Sequence, residues 1–205
     1  MRTVNEQTNM LSPELASIMH LMSDYPAHWA VCGGWALDLF LNRVTRSHKD
    51  IDLSILRKDQ ALIQAHMNGW TLEIAHQGQM FPWKNGQIIE LPMHTIWCRH
   101  PNHDPDFVEF LLDEADNTHY RFRHNPAIKA EFNQAFLTSP SGVPILAPEI
   151  VLLYKAKRPQ VENTPTDFAH TLPHLSNHQC EWLHSGLQQQ YGTHPWLHTL
   201  ESISQ

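Results

Sequence analysis

The sequence predicts an α+β fold, in which a mixed β-sheet with flanking helices is followed by a small C-terminal helical unit. Short apolar stretches alternate with helical patterns up to about residue 125, and turn residues separate them, which predicts the sheet and its helices. Pro148 suits the first position of a helix, and the segments after it have helical patterns. We therefore predict one unit over residues 1–125 and a second over residues 126–205.

The predicted elements follow the chain in order. A helix begins after Ser12, because Leu15, Ile18 and Met22 recur at helical spacing before Pro26. The residues predicted as strands are 29–32, 51–56, 72–75, 87–91, 94–98 and 107–112. The other predicted helices are 35–41 and 59–67 in the first unit, and 148–157, 165–172, 179–191 and 196–202 in the second.

Composition and charge argue against several classes of protein. The chain has 205 residues, 41% of them hydrophobic, and no run of about 18 apolar residues that would span a membrane. The N-terminus lacks the apolar core of a secretion signal and the three cysteines form no C-x-x-C pair, so we expect a cytoplasmic protein with reduced thiols. The net charge of −7 disfavours nucleic-acid binding, which needs a basic surface.

A glycine turn and a pair of carboxylates indicate phosphate and metal chemistry. Gly33 and Gly34 lie between a predicted strand and a predicted helix, where backbone N–H groups and the helix dipole favour an anion. Asp50 and Asp52 alternate with apolar residues, so both carboxylates project from one face of a strand. Two adjacent carboxylates repel each other unless a cation lies between them.

The stretch from Val31 to Asp59 resembles the nucleotidyltransferase superfamily of the DNA polymerase β type. It is most similar to the small bacterial branch related to aminoglycoside and lincosamide nucleotidyltransferases. That family has a Gly-Gly or Gly-Ser turn, an Asp-x-Asp strand and a third acidic residue on a neighbouring strand. The resemblance extends more weakly to residues 146–149, 152–157 and 167–168. It implies a nucleotidyltransferase core over residues 1–125, with the helical unit over residues 126–205 closing the substrate cleft.

The resemblance also implies that three carboxylates hold two Mg²⁺ ions. Asp50 and Asp52 match the Asp-x-Asp pair. Glu109 is the expected third ligand and general base, because it is the polar residue of an otherwise apolar strand. Asp106 and Asp113 are the alternatives for this role.

The nucleotide, ATP or another nucleoside triphosphate, has six candidate ligands, which are Gly33, Gly34, Arg46, His48, Lys155 and Lys157. The glycines offer backbone N–H groups, and the fork of Arg46 matches phosphate geometry. By the resemblance, Lys155 or Lys157 holds the triphosphate or the nucleobase. The charged candidates have structural alternatives, since lysines in a last helical turn also complement the helix dipole. Asp167 is interpreted as structural, and Asp38 fits either role.

Three functions are compatible with this pattern. The first is transfer of a nucleoside monophosphate, expected to be AMP from ATP, to a hydroxyl of a small molecule such as an aminoglycoside or lincosamide antibiotic. The acidic stretch over residues 104–116 would attract a cationic acceptor, or is a solvated loop and strand edge. The others are a toxin–antitoxin type of nucleotidyltransferase that modifies a protein or tRNA, and a non-catalytic nucleotide-binding module.

Overall fold

The computed structural model describes residues 12–203, and their fold is α+β, as predicted. The strands are Trp29–Val31 (β1), Asp52–Leu56 (β2), Thr71–His76 (β3), Gln79–Pro82 (β4), Thr95–Arg99 (β5), Phe107–Ala115 (β6), His119–Arg121 (β7), Lys129–Glu131 (β8), Phe136–Thr138 (β9) and Pro144–Leu146 (β10). The helices are Pro13–Leu21 (α1), Gly33–Leu41 (α2), Gln60–His66 (α3), Phe132–Ala135 (α4), Pro148–Lys155 (α5), Thr164–Thr171 (α6), Asn177–Tyr191 (α7) and Pro195–Ile203 (α8).

The sheet is mixed, with the strand order β4-β3-β5-β6-β2-β1-β10-β9 and with β7 and β8 attached beside β6. β2 runs parallel to β6 and antiparallel to β1. Along β6, Val108, Phe110 and Leu112 are fully buried, and Glu109 projects to the opposite face because side chains alternate along a strand. The parallel register places Asp52 directly opposite Glu109.

Three short strands of the second predicted unit belong to the same sheet, and β8 joins it through β7. β10 pairs in parallel with β1, and β9 pairs with β10. Each strand has only three residues, which is too short for an alternating pattern to stand out in the sequence. The division at residue 125 stays a prediction, while the sheet continues beyond it.

The strand predicted over residues 87–91 is wrong. This segment has no regular structure, and its backbone is held by side chains. Ile89 N donates to Gln60 Oε1 at 2.6 Å, and Trp83 Nε1 donates to Gln87 O at 2.8 Å. The strand lies earlier, at β4, which pairs with β3.

The helices of the second unit lie close to their predicted positions. α5 begins at Pro148, whose missing N–H costs nothing in a first helical turn. α7 begins with a capping box, in which the side chains of Ser176 and Gln179 satisfy each other's backbone N–H groups. Within residues 12–203, no helix has both the length and the apolar composition needed to cross a membrane.

Candidate active site

Three carboxylates meet where β2 begins beside β6. Asp52 is the first residue of β2, Asp50 lies two residues before it, and Glu109 is the partner of Asp52 on β6. One oxygen atom from each lies within 4.8 Å of the others. We call Asp50, Asp52 and Glu109 the acidic trio. The sequence predicted that Asp50 and Asp52 lie side by side near Glu109, although only Asp52 belongs to β2 and Asp50 lies in the segment before it.

The alternatives to Glu109 lie in different surroundings. Asp106 is exposed, just before β6. Asp113 is on β6 but is 2% exposed and lies inside a network of donors. Its carboxylate accepts hydrogen bonds from Ser54 Oγ at 2.6 Å and from the hydroxyls of Tyr120 and Tyr154 at 3.2 Å.

Burial and nearby negative charge favour the neutral forms of Asp52 and Glu109. Burial raises the pKa of Asp52 to about 6, and the nearby charge of Asp50 adds to the effect. Burial raises the pKa of Glu109 to about 7, and the charges of Asp52 and Asp50 again add to it. A divalent cation between the three groups would reverse this preference. An all-carboxylate set of oxygen ligands suits a hard cation such as Mg²⁺.

The glycine turn allows other groups to approach the backbone closely. Gly33 has a φ of +63°, which favours glycine, and a Cβ there would overlap Asp52 Oδ2. A Cβ on Gly34 would overlap Arg46 Nη2 and would lie 2.8 Å from His48 Nδ1. The turn opens α2, so its backbone N–H groups lie at a helix N-terminus, where an anion is favoured.

Arg46 and Lys155 are brought together by one carboxylate. Arg46 Nε and Nη2 donate to the two oxygens of Asp167 at 2.8 and 3.1 Å, and Lys155 Nζ lies 2.8 Å from Asp167 Oδ2. Although burial opposes it, the hydrogen bonds from Arg46 and Lys155 lower the pKa of Asp167. Asp167 thus holds two cations beside the glycine turn. Lys157 lies beyond the end of α5 and is exposed.

His48 is fixed in orientation by Asp38. His48 Nε2 lies 2.6 Å from Asp38 Oδ2, and its ring stacks on Trp35 with 4.4 Å between centroids. Asp38 is 1% exposed and also accepts from the backbone and the hydroxyl of Thr45 at 3.0 and 2.5 Å. Asp38 therefore positions His48, whose Nδ1 faces Gly34. The sequence marks Asp38 as a carboxylate within the otherwise apolar α2, but residue spacing does not identify His48 as its partner.

Two cavities flank the acidic trio. The cavity on the loop side has a volume of about 540 Å³, and its lining includes Gly33, Gly34, Arg46, His48, Asp50 and Lys155. The cavity on the sheet side has a volume of about 360 Å³, and its lining includes His94, Glu109, Leu111, Arg123, Val151 and Tyr154. Gly33 and Lys155 line both, while Lys157 lines neither.

Comparison with known proteins identifies relatives of this fold. The sequence profile of the family described as aminoglycoside-2''-adenylyltransferase matches residues 14–134. The solution structure of the antibiotic-resistance factor ANT(2'')-Ia has a TM-score of 0.59 and 15% identity, covering 93% of this chain and 94% of that one. The lincomycin-bound crystal structure of the lincosamide antibiotic adenylyltransferase LnuA has a TM-score of 0.54 and 19% identity, covering 80% of this chain and 98% of that one. The comparison with curated sequences gives no match. At these identities the two structures show a shared fold.

Proposed function

Because the chain belongs to the aminoglycoside-2''-adenylyltransferase family and is therefore an adenylyltransferase, we propose that it transfers AMP from ATP to a hydroxyl group. The proposed acceptor is a small antibiotic, and the reaction uses two Mg²⁺ ions. The acidic trio is the observation that carries this proposal. The acceptor class is proposed from the similar proteins, an antibiotic-resistance factor and a lincosamide antibiotic adenylyltransferase. The family match disfavours the toxin–antitoxin and non-catalytic alternatives.

The metal ions would be held by the acidic trio. Asp50, Asp52 and Glu109 would supply the carboxylate oxygens that hold them. When bound, two such ions stabilise the attacking and the leaving oxygens of an in-line displacement. Burial, together with the charges of the neighbouring carboxylates, raises the pKa of Asp52 and of Glu109, and a bound cation would offset both effects, which supports this assignment.

The triphosphate would lie in the loop-side cavity. The backbone N–H groups at Gly33 and Gly34 would donate to phosphate oxygens, since they lie at the N-terminus of α2. Arg46 and Lys155 add positive charge, and Asp167 holds both in place. His48 lines the same cavity in the orientation set by Asp38.

Glu109 would accept the proton of the acceptor hydroxyl. The hydroxyl oxygen then bonds to the α-phosphorus of ATP, the bond between that phosphorus and the bridging oxygen breaks, and pyrophosphate leaves with the electron pair. A general base of this kind contributes typically about 10²–10⁴-fold to the rate. Glu109 suits the role because it lines the sheet-side cavity, opposite the proposed triphosphate site.

A titration of the full chain with ATP tests the proposal. We expect ATP to bind only weakly without Mg²⁺ and to bind well when Mg²⁺ is present, because the carboxylates repel the triphosphate without the ions. Pyrophosphate release should then depend on an added acceptor. Equal ATP affinity with and without Mg²⁺ would contradict the metal assignment.

A further inference from the structure

The sheet-side cavity differs from the loop-side cavity in the character of its walls. Leu111, Leu146, Val151 and the ring of Tyr154 give it apolar surfaces. Its volume of about 360 Å³ falls within the usual range of small-molecule sites, roughly 300–1,000 Å³. The cavity therefore suits the apolar part of an organic molecule.

The two carboxylates that line this cavity, Glu109 and Asp113, already have other partners or another proposed role. Asp113 accepts from Ser54, Tyr120 and Tyr154 and faces Arg123, and Glu109 belongs to the acidic trio. No other carboxylate of residues 12–203 lines the cavity. A ligand with several positive charges would find no free anionic partner there, and Arg123 would repel it.

Arg123 is the group with unused hydrogen-bonding capacity. Its side chain is 9% exposed. Nη1 donates to Leu112 O at 3.2 Å and lies 3.5 Å from Asp113 Oδ1. Buried Nε has no hydrogen-bond partner within the described part of the chain. A buried donor without a partner is costly, so a shift of the Arg123 side chain that brings Nε to a ligand oxygen in the cavity would be favoured.

We propose that the sheet-side cavity binds the acceptor, and that the acceptor carries at most one positive charge, an apolar part and a carbonyl or ether oxygen that accepts from Arg123. This inference rests on the proposed function. Glu109, the proposed base, lines this cavity, whereas Gly34 and Asp50 line the loop-side cavity. In an in-line displacement the acceptor enters opposite the leaving pyrophosphate.

Apart from Glu109 and Asp113, the acidic residues of the stretch over residues 104–116 do not line this cavity. Asp104 and Asp106 line a third cavity of about 490 Å³, together with Glu14 and Asp50. That cavity contains neither Asp52 nor Glu109. A cationic acceptor drawn there by charge would not present its hydroxyl to Glu109.

The first test compares two acceptors with the full chain, ATP and Mg²⁺. Lincomycin has one basic amine, an amide carbonyl and an apolar part, whereas tobramycin has several amines. We expect lincomycin to bind the protein with ATP and to have a kcat/KM at least about tenfold above that of tobramycin, since a tenfold ratio needs only 1.4 kcal/mol. Equal or better use of tobramycin would overturn the proposal, and so would a failure of lincomycin to bind.

The second test separates acceptor binding from ATP binding. Arg123→Lys keeps a positive charge beside Asp113 but removes Nε, so acceptor KM should rise about tenfold with ATP KM unchanged. Arg121→Lys is the matched control, because Arg121 is partly exposed, pairs with Asp116 and lines neither cavity of the site. It should change neither KM.

A cavity-filling variant tests whether the effect of Arg123→Lys on acceptor KM comes from the cavity or from a disturbed network around Asp113. Leu111→Phe should raise acceptor KM and spare ATP binding, because the larger side chain occupies the sheet-side cavity. An equal rise in both KM values would mean that the cavity holds the nucleoside, which overturns the proposal. If the wild-type protein did not bind ATP, the proposed function itself would be contradicted, and this inference would lose its basis.

Discussion

Glu109 and Asp113 are two carboxylates four residues apart on the same face of β6, and their surroundings are opposite. Asp113 is surrounded by donors, three hydroxyl groups and a guanidinium. Glu109 faces two other carboxylates, Asp50 and Asp52. Burial raises the pKa of both groups, but neighbouring charges raise that of Glu109 further, while Arg123 opposes the shift at Asp113. A buried carboxylate with donors stabilises a fold, whereas one among like charges stays ionised only with a cation.

The largest expected effect is on turnover when the acidic trio loses a charge. Asp52→Asn should reduce pyrophosphate release by at least about 10³-fold, because the lost metal contribution is several kcal/mol. Thermal stability without metal should be unchanged or higher at pH 8, since the substitution removes repulsion with Asp50 and Glu109. Asp50→Asn should behave in the same way.

The control for these variants is Asp104→Asn, an exposed carboxylate outside the trio. It should keep wild-type turnover. Full activity of Asp52→Asn or Asp50→Asn with any acceptor would show that the trio does not bind the catalytic metal.

The next largest effect is expected for Glu109, and it tests how this residue differs from Asp113 on the same strand. Glu109→Gln should lower the rate of transfer by about 10²–10⁴-fold and leave ATP binding with Mg²⁺ nearly normal, because Asp50 and Asp52 would remain as ligands of the proposed ions. Glu109→Asp should recover part of the rate. The measurements are single-turnover rates and ATP affinity. If Glu109→Gln stayed active and Asp106→Asn were inactive, the base would be Asp106.

Asp113→Asn should show the reverse pattern. It leaves Arg123 buried without its negative partner, so we expect the free energy of unfolding to fall by about 3 kcal/mol. Urea unfolding of this variant and of Glu109→Gln measures the difference directly. If Asp113→Asn were stable but inactive, Asp113 would be a catalytic group, and the distinction between a structural Asp113 and a catalytic Glu109 would be wrong.

The acidic trio and the glycine turn could be predicted because their signals are local. Asp50 and Asp52 are two residues apart, and Glu109 is the polar residue of the otherwise apolar segment over residues 107–112. Family membership confirms the resemblance and the enzyme class. The roles of the individual site residues stay predictions.

The partner networks could not be predicted, because they join residues that are distant in the chain. Asp113 meets Ser54 across 59 positions and Tyr154 across 41, and Asp167 meets Arg46 across 121. Sequence spacing carries no information on such pairs. The same limit applies to β9 and β10, whose place in the sheet depends on pairing with β1.

The smallest expected effect concerns Glu149 on α5. Its surroundings are intermediate between those of Asp113, which has several donors, and those of Glu109, which faces other carboxylates. Glu149 is 4% exposed, and its carboxylate has one side-chain donor, Gln179 Nε2 at 2.7 Å. Burial raises the pKa of Glu149 to about 7, so the folded protein keeps the proton at pH values where the unfolded chain has lost it. The stability contributed by the protonated group is therefore present in full below the unfolded pKa of about 4.3 and is lost as the pH rises through about 7.

Glu149→Gln replaces the neutral carboxyl with a neutral amide and should flatten this dependence. Relative to the variant, the wild-type free energy of unfolding should fall by on the order of 1–3 kcal/mol between pH 5 and 8, as measured by urea unfolding at both pH values. Glu181→Gln, an exposed substitution on α7, is the control and should leave the pH dependence unchanged. A parallel pH dependence in wild type and Glu149→Gln would mean that Gln179 stabilises the charged carboxylate enough to offset burial. Glu149 would then belong with Asp113 as a carboxylate held by its donor.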